Sequence, residues 1–352
     1  MKVAILTPTF SKFSGPDRVV MNEAEELTAK GNDVTIITFS TDFDSLLLQK
    51  KGINVEALGM PKQPMMERLY RLMFFLDLPK TLRIVRKLKG FDEVISFLYP
   101  MTLPAMIAKA RQKQIKYTYY DVGVAYPKLF EGLMERLYMR IFALLTKLTI
   151  KNADEAISIS KFLSGELKAH TGIESSVKYV RIDKSRFNRN INLMYRKEIA
   201  ALTKKHELQK PVLLYVGRIS PHKGVHILLE AFRIVREKYP TAKLVIVGKH
   251  TFKEYSEQLR KSAAEIGGVV FAGYVPDEDL PGYYGASDVY VTASMWEGFN
   301  IPIVESNACG KPAVAFRIGS HPEVLKEGTL VEPGDVKEFA QAVIKTLHAK
   351  TL

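Results

Sequence analysis

The chain has 352 residues, 47% hydrophobic and 25% charged, with a formal net charge of +13. That length suggests about two domains, each able to bury a core without metal or disulfide staples. The single cysteine, Cys309, excludes an intrachain disulfide and fits a reducing, cytoplasmic setting, and no run approaches the ~20 apolar residues of a membrane-spanning helix.

The opening stretch "MKVAILTPTF" reads as a first buried strand rather than a signal peptide, because its apolar run is short and soon interrupted. The loop "TPTFSKFSGP" carries Gly15 and Pro16, and proline belongs in a helix's first turn. A helix is expected over 16–30, with Val19, Val20, Ala24 and Leu27 on one face, and "DVTIITF" as the next strand. Continuous apolar runs bounded by turn signals indicate strands covered on both faces, and strands alternating with amphipathic helices indicate a parallel sheet. Further on, "PMMERLYRLMFFLDLPKTLRIVRKLK" and "YPKLFEGLMERLYMRIFALLTKLTIK" mix aliphatic and aromatic faces with Lys and Arg. Such stretches either cover the sheet or lie on an anionic membrane surface.

The polar segment "RIDKSRFNRNINLMYRK" shows no strand pattern, and a domain boundary is expected near residue 189, giving domains 1–189 and 190–352. The βα pattern then restarts with the strand "PVLLYVG", the loop "GRISPHKG" and the helix "VHILLEAFRIVREKY". "AKLVIVG", "GVVFAGY", "DVYVTAS" and "PAVAF" are further strands. The predicted class is therefore α/β, with two Rossmann-like doubly wound domains facing a cleft at their strand C-termini, where such sheets bind ligands.

Three loops offer chemistry. In "GRISPHKG", Gly217 lets the chain turn, Gly224 keeps bulk from the helix start, and Arg218 and Lys223 place two cations where a diphosphate would sit. It is not a P-loop, because glycine follows Lys223. Alone, it reads equally well as a solvated basic loop. In "MWEGFNIPIVESNACG", Glu297 and Glu305 stand at a spacing that fits neither a helical ion pair nor a strand face. Glu297 falls in the loop before a helix running from near Asn300 to about Cys309. The amides of Phe299, Asn300 and Ile301 are its first-turn donors, a corner suited to a sugar nucleotide. The third loop is "TPTFSKFSGP" of the first domain, where Gly15 and Pro16 start a helix; alone it reads as simple loop chemistry, and facing "GRISPHKG" across the cleft it is a plausible second wall for an anion.

The stretch "EGFNIPIVE" resembles the E-x7-E signature of retaining glycosyltransferases of the GT4 type (group 1 glycosyltransferases), which have the GT-B fold. The resemblance extends through "GRISPHKG", "VVFAGYVPDEDLPGYYGASDVYVTAS" and "NACGKPAVAFRIGSHPEVL", and more loosely through "TPTFSKFSG" and "ADEAISISKFLSGEL". It implies that Glu305 holds the ribose and that Glu297 contacts the donor sugar, helped by the amides from Phe299 to Ile301. Arg218 and Lys223 would neutralise the diphosphate, Gly217 would belong to that loop, Gly15 would let the opposite loop approach the donor, and Tyr274 and Val275 would lie beside the base. Arg218, Lys223, Glu297 and Asp121 are the expected catalytic groups, with Tyr120 and Asp121 on the acceptor side. The chain departs from the family in having Tyr120 where histidine is usual, Asn300 where glycine is common, and only Asp183 and Phe187 in place of the Asn-Gly motif before the linker.

The implied donor is a UDP- or GDP-sugar, the acceptor a glycan or lipid-linked molecule, and no metal or other cofactor is expected. The sequence contains no spaced His/Cys cluster of the metal-binding kind. A cytoplasmic protein is expected, docked on the inner face of the cell membrane if the two basic stretches are interfacial. The alternative is a basic membrane- or nucleic-acid-binding protein on a Rossmann-like scaffold without transferase activity. Neither half has GxGxxG after a strand, which counts against a nicotinamide dehydrogenase. No RNP, helix-turn-helix or finger pattern supports a nucleic-acid partner. A glycosidase would not need the phosphate-binding loops.

Overall fold

A computed structural model describes residues 1–12, 14–123 and 132–349. The chain divides into two compact units, Met1–Val180 and Arg181–Leu352. In the first, the order is β1 (Lys2–Phe10), α1 (Gly15–Ala29), β2 (Asp33–Thr41), α2 (Ser45–Lys50), β3 (Ile53–Ala57), α3 (Pro64–Met73), α4 (Leu78–Lys87) and β4 (Glu93–Ser96). It continues with α5 (Thr102–Arg111), β5 (Lys116–Asp121), α6 (Leu133–Thr149), β6 (Glu155–Ser158), α7 (Lys161–Thr171) and β7 (Ser176–Val177). The strands pair in parallel in the order β3-β2-β1-β4-β5-β6-β7.

The second unit begins with α8 (Ile191–Met194) and α9 (Arg196–Lys205), then β8 (Val212–Val216), α10 (Val225–Lys238), β9 (Lys243–Val247), α11 (Lys253–Ile266) and β10 (Val269–Gly273). After α12 (Leu280–Ala286) come β11 (Val289–Thr292), α13 (Ile301–Ala308), β12 (Ala313–Phe316), α14 (His321–Val324), β13 (Gly328–Val331) and α15 (Val336–Ala349). Its parallel order, β10-β9-β8-β11-β12-β13, repeats the pattern of the first sheet. In both, the strand order reverses beside the first strand, the place where a doubly wound sheet leaves a crevice for ligands.

The apolar runs account for this. In "KVAILTP", Val3, Ala4, Ile5 and Leu6 are all fully buried, as a strand covered on both faces requires. In the second unit Leu228, Phe232 and Val235 of α10 meet Leu213, Tyr215 and Leu244 of β8 and β9 in one core. Each such side chain contributes roughly 1.5–3 kcal/mol relative to exposure, so the amphipathic spacing alone ties the helix to the sheet. Local signals set the ends. Pro16 lies in the first turn of α1. Ser160 Oγ accepts from Leu163 N at the start of α7, which Gly172 ends in the left-handed conformation at φ 79°.

Of the two basic stretches, the first forms α3 and α4, and the second forms α6 over Leu133–Thr149, with residues 126–131 outside the described residues. Helices α3 and α6 lie against each other. Both sit at the C-terminal end of β4: the Tyr99 hydroxyl donates to the Leu72 carbonyl at 3.1 Å, and its ring packs edge-on against Phe142 at 5.7 Å.

Candidate active site

In a parallel sheet all strand C-termini share one edge, so the loops after β8, β10 and β11 gather on one side of the second unit. Gly224 brings two of them into contact. Its φ is 66°, and a Cβ there would lie 2.0 Å from the carbonyl oxygen of Ala293, just beyond β11. The Met295 amide then donates to the His222 carbonyl at 2.9 Å, stitching the loops together. Gly217 serves differently from the sequence expectation. Its φ is not in the left-handed region; the constraint is space, since a Cβ would come 2.8 Å from the Tyr215 hydroxyl, which donates to the Arg218 carbonyl at 2.9 Å.

The contact between the loops creates an ion pair. Lys223 Nζ lies 2.7 Å from Glu297 Oε1, and both side chains are largely covered, 15% and 13% exposed. The Ser294 hydroxyl donates to the same carboxylate oxygen at 2.9 Å. Burial by itself would raise the Glu297 pKa, but the Lys223 ammonium and the Ser294 hydrogen bond hold it below the ordinary value. Glu297 is therefore a carboxylate at neutral pH, able to accept from hydroxyls and unable to protonate a leaving group. His222 goes the other way: burial, reinforced by Lys223 and Arg218, pushes it down to about 4, so the ring is neutral. Arg218 is exposed at the loop surface.

Helix α13 starts after Asn300, as expected, and Cys309 follows its last residue. Asn300 sits at φ 61°, and its side chain does not cap the helix; it turns instead towards His321, with Nδ2 2.8 Å from His321 Nε2. Phe299, Asn300 and Ile301 are buried. Glu305, in the second turn of α13, is fully buried, and the Tyr284 hydroxyl donates to its Oε2 at 2.7 Å. Tyr284 is braced by Phe187, ring to ring at 5.6 Å and nearly perpendicular. Tyr274, just past β10, is 40% exposed, while Val275 beside it is buried.

In the first unit, Gly15 opens α1, and among the described residues a Cβ there would meet no atom within 4 Å beyond its chain neighbours and its own helix backbone. The described residues therefore do not demand glycine at that position. The loop before it is pinned by Asp17, whose Oδ2 accepts from the Ser11 amide and hydroxyl, each at 2.9 Å. At the end of β5, Tyr120 is 3% exposed and stacks on Phe97, centroids 4.9 Å apart. Asp121 Oδ1 accepts from Gly123 N at 3.0 Å and Oδ2 from the Ser158 hydroxyl at 3.2 Å. Burial dominates these bonds and pushes Asp121 up to about 6. Among the described residues no cluster of three or more His, Cys, Asp or Glu side chains is arranged to hold a metal ion.

The family profile described as "Glycosyl transferases group 1" matches residues 198–352, and that described as "Glycosyltransferase Family 4" matches residues 13–181. The chain belongs to the group 1, family 4 glycosyltransferases. It is 35% identical over 141 residues to the O-antigen chain mannosyltransferase B of Escherichia coli, a match covering 38% of this chain and 36% of that protein. It is 34% identical over 147 residues to the GDP-mannose-dependent alpha-(1-6)-phosphatidylinositol monomannoside mannosyltransferase of Mycolicibacterium smegmatis, covering 38% of each chain. The chain thus spans little more than a third of the length of these relatives. Among solved structures, Anabaena Alr3699/HepE in complex with UDP and glucose superposes with a TM-score of 0.81 at 20% identity, over 100% of this chain and 91% of that one. The fold is GT-B, built of two Rossmann-like domains.

Within this family member the E-x7-E pair divides into one carboxylate matched by an ammonium and one wholly buried against a tyrosine. Sequence reasoning missed Tyr284, Ser294 and His321 as partners of the signature residues. Only "SHPEVL", which places a histidine beside a proline, hinted at the last, and nothing in that stretch points back to Asn300.

Proposed function

We propose that the protein is a retaining, metal-independent glycosyltransferase that moves a sugar from a UDP- or GDP-sugar to a glycan or lipid-linked acceptor. One observation carries this reading: the Lys223–Glu297 pair, made by two loops from separate strands, with Arg218 in the same loop as Lys223 and α13 starting four residues after Glu297. A leaving nucleoside diphosphate gains negative charge while the sugar becomes cationic. Fixed cations and N–H dipoles near the phosphates lower that barrier. Lys223 and Arg218 supply the charge that a metal supplies elsewhere, and Glu297, ionised, accepts from donor-sugar hydroxyls. Glu305, held by the Tyr284 hydroxyl, is the residue that the E-x7-E resemblance assigns to the ribose. Retention rests on the E-x7-E resemblance, and no protein nucleophile is assigned.

Both bases stay in the proposal, since one relative is named for GDP-mannose and a structure of the same fold holds UDP. An acceptor of glycan or lipid-linked type is supported by relatives named for an O-antigen chain and a phosphatidylinositol mannoside. On the acceptor side, Asp121, with its pKa near 6, is ionised above that pH and can take a hydroxyl proton, with Tyr120 beside it.

We further propose a cytoplasmic protein that docks on the anionic inner face of the cell membrane through α3 and α6. Met65, Leu69, Leu133 and Met134 are 82%, 52%, 79% and 76% exposed, an uncommon load of bare aliphatic surface for two adjacent helices. Arg68, Arg136 and Arg140 are exposed on the same helices. Among the described residues no helix is long and apolar enough to cross a membrane.

A thermal-shift panel of UDP, GDP and their sugars tests the donor. A ligand at 100 times its Kd stabilises by about 2.7 kcal/mol, so one base should raise the melting temperature clearly. Silence across the panel would favour the binding-protein alternative. Turnover that is abolished by EDTA and restored by Mg²⁺ or Mn²⁺ would overturn the metal-independent part.

A further inference from the structure

The turn between β12 and α14 folds back onto the loop that carries Glu297. Ser320 donates its amide to the Glu297 carbonyl at 3.2 Å, and its hydroxyl lies 3.4 Å from the same oxygen. The approach is so close that a Cβ on Gly319, which sits at φ 49°, would fall 2.3 Å from that carbonyl oxygen. His321 follows, fully buried. Its Nδ1 is 2.7 Å from the Phe316 carbonyl. A carbonyl can only accept, so the ring proton is on Nδ1 and Nε2 is left as an acceptor. That acceptor meets Asn300 Nδ2 at 2.8 Å, and the same amide nitrogen lies 3.5 Å from Glu297 Oε1.

One turn, Gly319–His321, therefore grips both ends of the segment Glu297–Asn300: the backbone of its first residue and the side chain of its last. Between those grips the segment has no helix or strand to hold it. Asn300 is also a non-glycine residue at positive φ, a conformation that persists only where surroundings over-determine it. Its bond to His321 is one of the contacts that hold it.

We infer that Asn300, Ser320 and His321 are positioning residues, and that the Gly319–His321 turn is a clamp setting the Glu297 carboxylate and the first amides of α13 for the donor sugar. The clamp stands on geometry alone; its effect on rate rests on the sugar-nucleotide reading above. Lys223 draws the carboxylate from one side, and the Asn300 amide faces the same oxygen from another. Loss of the clamp leaves only Lys223 and Ser294 of these contacts to set the rotamer. A displacement of about 1 Å in such a group is enough to slow chemistry by one to two orders of magnitude.

Three variants test this: Asn300→Gly, which suits the backbone but removes the amide; His321→Leu, which removes both ring nitrogens; and His321→Gln, which keeps a polar end. Turnover with the best donor of the panel should fall about tenfold or more in the first two while the donor KM stays within about twofold. His321→Gln should recover most of the loss. A purely structural role would instead lower the melting temperature and leave kcat alone, and folded Asn300→Gly and His321→Leu proteins with kcat within about twofold of wild type would overturn the inference. Should no donor support turnover in the wild type, the transferase reading fails, and a crystal structure of Asn300→Gly still decides the clamp. A Glu297 carboxylate moved by about 1 Å or more upholds it, and an unmoved one refutes it.

Discussion

The ammonium of Lys223 lies 2.7 Å from the carboxylate of Glu297, joining the loop after β8 to the loop after β11. That one distance changes how the two cations of "GRISPHKG" should behave under mutation. Lys223 is a structural partner as well as a candidate phosphate ligand, whereas Arg218 stands exposed. Arg218→Ala should cut turnover by about a hundredfold or more while changing stability by less than about 0.5 kcal/mol. Lys223→Ala should do both, leaving a covered carboxylate unmatched at a cost of about 3 kcal/mol or more. Parallel urea melts and initial rates check the contrast, and near-normal turnover in both would remove these residues from the chemistry.

Asp17 and Asp121 make the first unit respond to pH in a distinctive way. Burial is the main cause that pushes each up to about 6 from 3.8. Between those values the folded chain holds protons that the unfolded chain has released, so stability falls as pH rises from about 4 to about 6 and is level above. The gap is worth roughly 3 kcal/mol per group at most. Asp17→Asn and Asp121→Asn should each gain stability relative to wild type over that range in urea melts at a series of pH values; matching slopes would argue against the buried-acid assignment. Glu297 has the opposite sign: its depressed pKa gives stability that is present above about 4.5 and lost as pH falls through the folded value.

Two glycines separate a demand of the fold from a demand of the ligand. Gly224→Ala places a methyl 2.0 Å from the Ala293 carbonyl at a φ of 66°, and should destabilise by about 3 kcal/mol or more. Gly15→Ala meets no atom of the described residues within 4 Å beyond its chain neighbours and own helix, and should melt like wild type while weakening the donor's stabilising effect in the thermal-shift panel. Unchanged donor binding in Gly15→Ala would remove that loop from the donor site.

The α3–α6 surface predicts binding to anionic vesicles. Co-sedimentation should be strong with phosphatidylglycerol, weak with phosphatidylcholine and reduced by salt, because the cations act through a screened field. A Met65→Ser/Met134→Ser double variant should bind less at unchanged stability, since both side chains are largely in solvent already. Binding indifferent to lipid charge and to these residues would discard the docking face.

The strands were readable because their apolar runs are continuous. "PVLLYVG", "AKLVIVG" and "DVYVTAS" each contain an observed strand, and the helix expected over 16–30 appears as Gly15–Ala29. The start of α13 was readable too, from the acidic and apolar pattern around it. The environment of the signature residues was not. Glu297 and Glu305 look alike in "EGFNIPIVE", yet one ends beside an ammonium from another loop and the other against a tyrosine of α12.

Local periodicity and turn chemistry thus dictated the alternation of strands and helices, the parallel class and the loops that bear charge, because each depends on near neighbours along the chain. Sheet order, by contrast, brings β8 beside β11 and β11 beside β12, and only that packing decides that Lys223 meets Glu297, that Tyr284 meets Glu305 and that His321 meets Asn300. Those contacts join residues far apart in sequence, and their energies depend on burial, which no linear pattern encodes.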